Sequence, residues 1–131
     1  MSSPASVTRN LRATYEEALV RVPEALKTEG FGVLTEIDVQ ATLKARLNVD
    51  FRRYKILGAC NPTFAHQALS TSLEVGLLLP CNVVVYENDE GRATVMAIDP
   101  TRTVAVMGDP RFEAFATQVK DKLVRAFAKL E

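Results

Sequence analysis

Tryptophan is absent from this 131-residue chain, histidine occurs once, as His66, and cysteine twice, as Cys60 and Cys81. A lone histidine excludes a multi-histidine metal site within one chain. No apolar run approaches the ~18–20 residues that cross a bilayer, and the opening MSSPASVTRN lacks the apolar centre of a signal peptide. Neither sign of charge dominates, since sixteen Lys and Arg balance sixteen Asp and Glu. Without a basic field there is nothing to hold a phosphate backbone, so neither nucleic acid nor membrane is an expected partner. Also missing are the GxGxxG, GxxxxGK[ST] and G-x-S-x-G patterns, so nucleotide-fold and hydrolase readings lack a motif. The expected location is cytoplasmic, where two thiols stay reduced.

What is present describes one domain, 1–131, with residues 1–4 frayed. The hydrophobic fraction of 47% and charged fraction of 24% are ordinary for a globular protein. Residues 5–11, ASVTRNL, read as a short strand. Thr14 and Glu17 have capping-box spacing, and Ala18, Leu19, Val22, Ala25 and Leu26 follow at helical spacing up to Gly30, which is placed to end the helix. Pro23 removes one donor and is expected to bend that helix. FGVLTEI alternates like a half-buried strand, and Asp38 can cap a short helix carrying Val39, Leu43 and Leu47. Residues 52–59 return to strand character. Asn61 then Pro62 is a helix start, N-cap followed by first turn, for a helix running to about Ser72. The β-prone runs 82–87 and 92–98 flank NDEG as a hairpin. TVAVMG, 103–108, reads as a further short strand. Asp109 and Pro110 repeat the cap-plus-proline signal, and Phe112, Phe115, Val119, Leu123, Phe127 and Leu130 form one stripe of a final helix, with both Phe115 and Phe127 expected to be fully buried.

Helices toward the ends and central strands joined mainly by short links imply α+β: a two-layer sandwich with a mostly antiparallel sheet and helices packed on one face.

The stretches GFGVLTEIDVQATLK, YKILGACNP, VGLLLPCNVVVYE and AIDP, taken together, resemble the bacterial and archaeal family called domain of unknown function 302 (DUF302), from about Val7 to the final helix. The resemblance implies a β-α-β-β-β-β-α core with TATA-binding-protein-like topology, here with an extra helix between central strands, and a homodimer. It brings no agreed activity, no cofactor and no established catalytic residue. The positions that match the family's motif are Gly58, Cys60, Asn61, Pro62, Pro80, Cys81 and Asn82. Pro23 departs from the family's usual first helix.

The cysteines are the sharpest chemical lead. If the strands at 52–59 and 82–87 are antiparallel neighbours, the first ends where the second begins. About eleven helical residues travel ~16 Å outward, and the eight from Leu73 to Pro80 reach back up to ~26 Å. Cys60 and Cys81 then share one edge of the sheet. Cys60 precedes a helix start, whose partial positive charge favours a thiolate. Asn61 is expected to be occupied in capping, Asn82 is placed to donate to an anion near the thiols, and His66 could supply a proton or a ligand. Three readings stay open: two small buried hydrophobes, a thiol site for sulfur or redox chemistry, or a soft-metal or small-ligand site on Cys60, Cys81 and His66, two thiolates suiting Cu(I) or Zn(II). Two functions follow. The first is a dimeric domain binding a small ligand or partner protein. The second is a thiol-dependent protein of sulfur or redox metabolism handling a persulfide or soft metal. Glu36, Asp38, Asp99 and Asp109 read as strand-end, cap and turn residues. Arg46, Arg52, Arg53 and Lys55 form a basic cluster, a solvated face or an anion patch.

Overall fold

The computed structural model describes residues 6–131. The segment expected to be frayed, 1–4, lies outside them, as does the first residue of the opening strand. In chain order the elements are β1 (Ser6–Asn10), α1 (Tyr15–Lys27), β2 (Gly32–Asp38), α2 (Val39–Leu47), β3 (Tyr54–Cys60), α3 (Pro62–Thr71), β4 (Cys81–Glu87), β5 (Ala93–Ile98), α4 (Pro100–Val104) and α5 (Glu113–Ala128). The five strands form one antiparallel sheet in the order β1-β5-β4-β3-β2. With α2, α3 and α4 set aside, the order is the β-α-β-β-β-β-α core, an α+β sandwich.

Local chemistry accounts for α1 closely. The Glu17 amide donates to Thr14 Oγ1 at 3.2 Å, and the Thr14 amide donates back to Glu17 Oε1 at 2.9 Å, a complete capping box. At the other end Phe31 N–H donates to the Leu26 carbonyl and Gly30 N–H to that of Lys27, both at 3.0 Å. This is a Schellman stop, and it puts Gly30 at φ 85°, where a side chain is strained. The helix continues through Pro23 to Lys27.

The faces of the sheet follow from strand alternation. Leu57, Ala59, Val83, Val85, Val95 and Ala97 point to the helix layer and join Ala18, Val22 and Leu26 of α1 and Leu123, Ala126 and Phe127 of α5 in the main core. On the other face the register aligns Ile37, Ile56, Val84 and Met96 side by side across β2, β3, β4 and β5. On that same face Tyr54 stacks on Tyr86 with ring centroids 5.4 Å apart. Thr94 is buried there because its hydroxyl donates to Asn10 Oδ1 at 2.7 Å and accepts from Asn88 Nδ2 at 3.1 Å.

Three expectations need correction. Residues 103–108 are not a strand. Asp99 caps α4, accepting from the Thr101 amide at 2.9 Å, with Pro100 at the first turn, and a 3₁₀ turn (Ala105–Met107) follows. The cap and proline commit the chain to helix before its β-branched residues can pair. The links between central strands are also less short than expected, since β3 and β4 are separated by α3 and a 3₁₀ segment (Leu73–Leu78). Finally, the α5 stripe is not uniformly sealed. Phe112, Leu123, Phe127 and Leu130 are buried, but Phe115 and Val119 are only half-buried.

Candidate functional site

β3 ends and β4 begins at the same edge of the sheet, with Ala59 paired to Cys81. The chain that leaves this edge as α3 returns through the 3₁₀ segment and the cis Leu79–Pro80 bond. The return is tight because Gly58 has no side chain. A Cβ there would stand 2.1 Å from Thr35 Oγ1 and 2.9 Å from Pro80 Cγ. The glycine of GACNP and the proline of LPCN thus meet in one contact, which explains on steric grounds why position 58 carries glycine.

Between this edge, α3, α4 and the first half of α5 lies a cavity with ≈ 80 Å³ of space for the centres of water-sized groups. The sheet contributes Ala59, Cys60, Cys81 and Ile98; α3 contributes Phe64, Ala65 and Ala68; Val75, Leu78 and Leu79 line it from the return segment. Thr103 and Val104 of α4 and Phe115, Ala116 and Val119 of α5 complete the wall. None of the lining residues is charged, and Asn61 and Thr103 bring the amide and hydroxyl groups.

Of the residues singled out by sequence, Cys60, Asn61 and Cys81 line this cavity. His66 and Asn82 are exposed and do not. Both cysteines are free thiols, and no disulfide joins them. Burial pushes the Cys81 thiol pKa up, and nearby Cys60 adds to the rise, so Cys81 is held as a neutral thiol rather than poised as a thiolate. Asn61 occupies the N-cap position of α3, but its side chain makes no cap bond. It donates instead from Nδ2 to the Glu29 carbonyl at 3.2 Å, tying the end of β3 to the end of α1. The expectation that Asn61 is used up in capping is therefore corrected. The bond from Nδ2 to the Glu29 carbonyl fixes the side chain, and no α3 amide donates to its Oδ1. No group of three or more His, Cys, Asp or Glu side chains able to hold a metal occurs among the described residues.

The other polar candidates are structural. Asp38 caps α2 through the Ala41 amide at 2.9 Å. Arg53 pairs with Glu16 and Glu87 and lies over the Tyr15 ring, Arg52 pairs with Asp89, and Lys55 pairs with Glu36. These pairings neutralise the basic cluster outside Arg46, so it does not form an anion patch. Asp99 is nearly buried and bonds Lys120 Nζ at 2.9 Å. Burial alone would raise its pKa, but the Thr101 hydroxyl and amide and the Lys120 ammonium outweigh burial and hold it below the usual carboxylate range. The α4 wall escaped the sequence reading because 103–108 was given strand character. The Asp99–Pro100 pair was the signal that could have found it.

This geometry defines a small α+β domain with a neutral, largely apolar cavity opening beside one sheet edge. The chain belongs to the DUF302 family: the family model described as domain of unknown function DUF302 matches residues 7–130. The crystal structure of an uncharacterized conserved DUF302 protein from Bacillus stearothermophilus is similar, with a TM-score of 0.91 and 32% identity over 98% of this chain and 100% of that one. No curated protein matches the chain in sequence. No helix among the described residues is long and apolar enough to cross a membrane.

Proposed function

We propose that this domain is a binding module for a small, largely apolar molecule held in the cavity between the β3–β4 edge, α3, α4 and α5. The observation that carries the proposal is the cavity itself. Its wall is largely apolar, free of charge and assembled from three strands, three helices and the 3₁₀ return segment, a concave apolar form usual for a small-molecule site. The neutral Cys81 thiol fits a wall residue better than a nucleophile. We place the protein in the cytoplasm as a homodimer. The support for the dimer is the lateral row Ile37–Ile56–Val84–Met96 on the face away from α1 and α5, with Ile37 half exposed at 50%.

The test is backbone and methyl NMR of the full chain titrated with a panel of small neutral hydrocarbons, alcohols and ketones. Saturable shifts at Ala65, Val75, Val104 and Val119 are the expected result. A panel that leaves all four signals in place overturns the reading. Light scattering of the wild type beside Met96→Glu tests the dimer, which requires the mass to halve in the variant.

A further inference from the structure

From the side chains around the cavity, we infer that its ligand is an aliphatic monocarboxylate, with the alkyl chain in the cavity and the carboxylate on Lys122. This rests on the cavity reading above and names the ligand class. The cavity wall carries no charge, so it suits a hydrocarbon body and gives an ionised group no partner inside. An ionised group on a ligand needs a partner outside the wall, and one cation rests on a wall residue. Lys122 lies on α5 one turn beyond the wall residue Val119, and its ammonium is 5.9 Å from the centre of the Phe64 ring, another wall residue. Lys122 is half-buried.

Among the cations of α5 and its C-cap, Lys122 is set apart by its lack of a carboxylate: Lys120 pairs with Asp99, Arg125 with Glu29 at 3.0 Å and Lys129 with Glu29 at 3.1 Å. Among the described residues no acidic group lies within ion-pair reach of Lys122, whose one recorded charge contact is with the Phe64 ring. A half-buried ammonium resting on an aromatic wall and lacking a counter-ion is a ready partner for an anion that enters with an apolar tail. Size limits the class further: ≈ 80 Å³ of centre space is several times what one water needs, so the cavity has room for an alkyl chain rather than a single solvent molecule.

The experiment is isothermal titration calorimetry of the full chain with octanoate and with 1-octanol at neutral pH, in the wild type and in Lys122→Met, which keeps the apolar stem and removes the charge. Circular dichroism confirms that the variant is folded, and Lys122→Gln provides a second charge-free version. The expected result is octanoate binding about five- to tenfold tighter than octanol in the wild type, the size of one partly screened ion pair. That preference should vanish in both variants while octanol affinity stays within about twofold. If octanol binds as tightly as octanoate, or if the preference survives loss of the charge, the carboxylate assignment fails and the apolar-cavity reading stands. If neither binds the wild type, the carboxylate assignment fails, and the NMR panel of neutral molecules then decides the cavity reading separately. Acetate and butyrate added as further probes should bind at least tenfold more weakly than octanoate, because they leave most of the cavity unfilled. Equal binding of butyrate and octanoate also overturns the inference, since the chain would then not be in the cavity.

Discussion

The helix layer is packed in two different ways along its length. Where α1 meets the second half of α5, Val22, Leu26, Leu123 and Ala126 have no exposed surface at all, and Phe127 is 3% exposed. Where α3 and α4 meet the first half of α5, the buried cluster is only Ala68, Val75 and Phe112, and Leu69, Leu79, Val104, Met107 and Phe115 around it stay half-buried. The same helix α5 serves both regions. The closed half supplies the burial that holds the sheet and helices together. The open half gives up contacts and so keeps a cavity. A single amphipathic stripe thus combines a stabilising region with one wall of the cavity, divided near Val119.

The largest effect is expected where the two regions are compared on the same residue type. Phe127→Ala should destabilise by about 3–5 kcal/mol, because a large buried ring leaves a void in the closed half. Phe115→Ala should lose less than about 2 kcal/mol, because its ring already borders empty space and is half exposed. Chemical denaturation of the pair gives both values, and equal losses would erase the division. Next comes the edge where the cavity begins. Gly58→Ala should destabilise by about 1–3 kcal/mol through overpacking against Thr35 and Pro80; a neutral midpoint in urea would show that the return segment yields easily.

A smaller effect is expected at the foot of α4. Asp99→Ala removes a cap and should lose about 1–2 kcal/mol. Its carboxyl titrates lower in the fold than in the unfolded chain. The unfolded state therefore binds the proton first, so the contribution of Asp99 is whole above about pH 4 and fades as pH falls through its depressed folded value. Denaturation midpoints measured from pH 6 down to pH 2 should fall in the wild type and fall less in Asp99→Asn. A parallel decline in both proteins would remove Asp99 from the acid response. The smallest expected effect is also the sharpest contrast. Ala116→Val grows a side chain into the cavity and should change stability by less than about 1 kcal/mol in either direction. Ala18→Val, in the closed half, should destabilise by about 1–3 kcal/mol. Thermal melts of the two variants read this directly.

Much of the fold was legible because its signals are local. Thr14 with Glu17, Asp38, Gly30 and the alternation in β4 and β5 each act over a few residues, and each forms as read. The chain's return from α3 also fits a simple reach argument, since Cys60 and Cys81 end up on neighbouring strands at one edge. Reading failed where two local signals competed. TVAVMG has β-branched residues, but Asp99 and Pro100 before it fix a helix start, and the cap won. Asn61 failed for a different reason. Its N-cap position was legible, but its actual partner, the Glu29 carbonyl, is 32 positions away in sequence. The Lys122–Phe64 contact is likewise tertiary. The cavity was half visible, because its sheet edge carries the motif and its helical wall does not.

The register slip in β2 has a further consequence. β2 is an outermost strand of the sheet, its pairing with β3 shifts between Val33 and Thr35, and Glu36 and Asp38 follow along the same strand. A bulge together with two carboxylates makes a poor template for another strand. Strand addition at this edge is therefore discouraged, and the irregular strand acts as a terminator of the sheet.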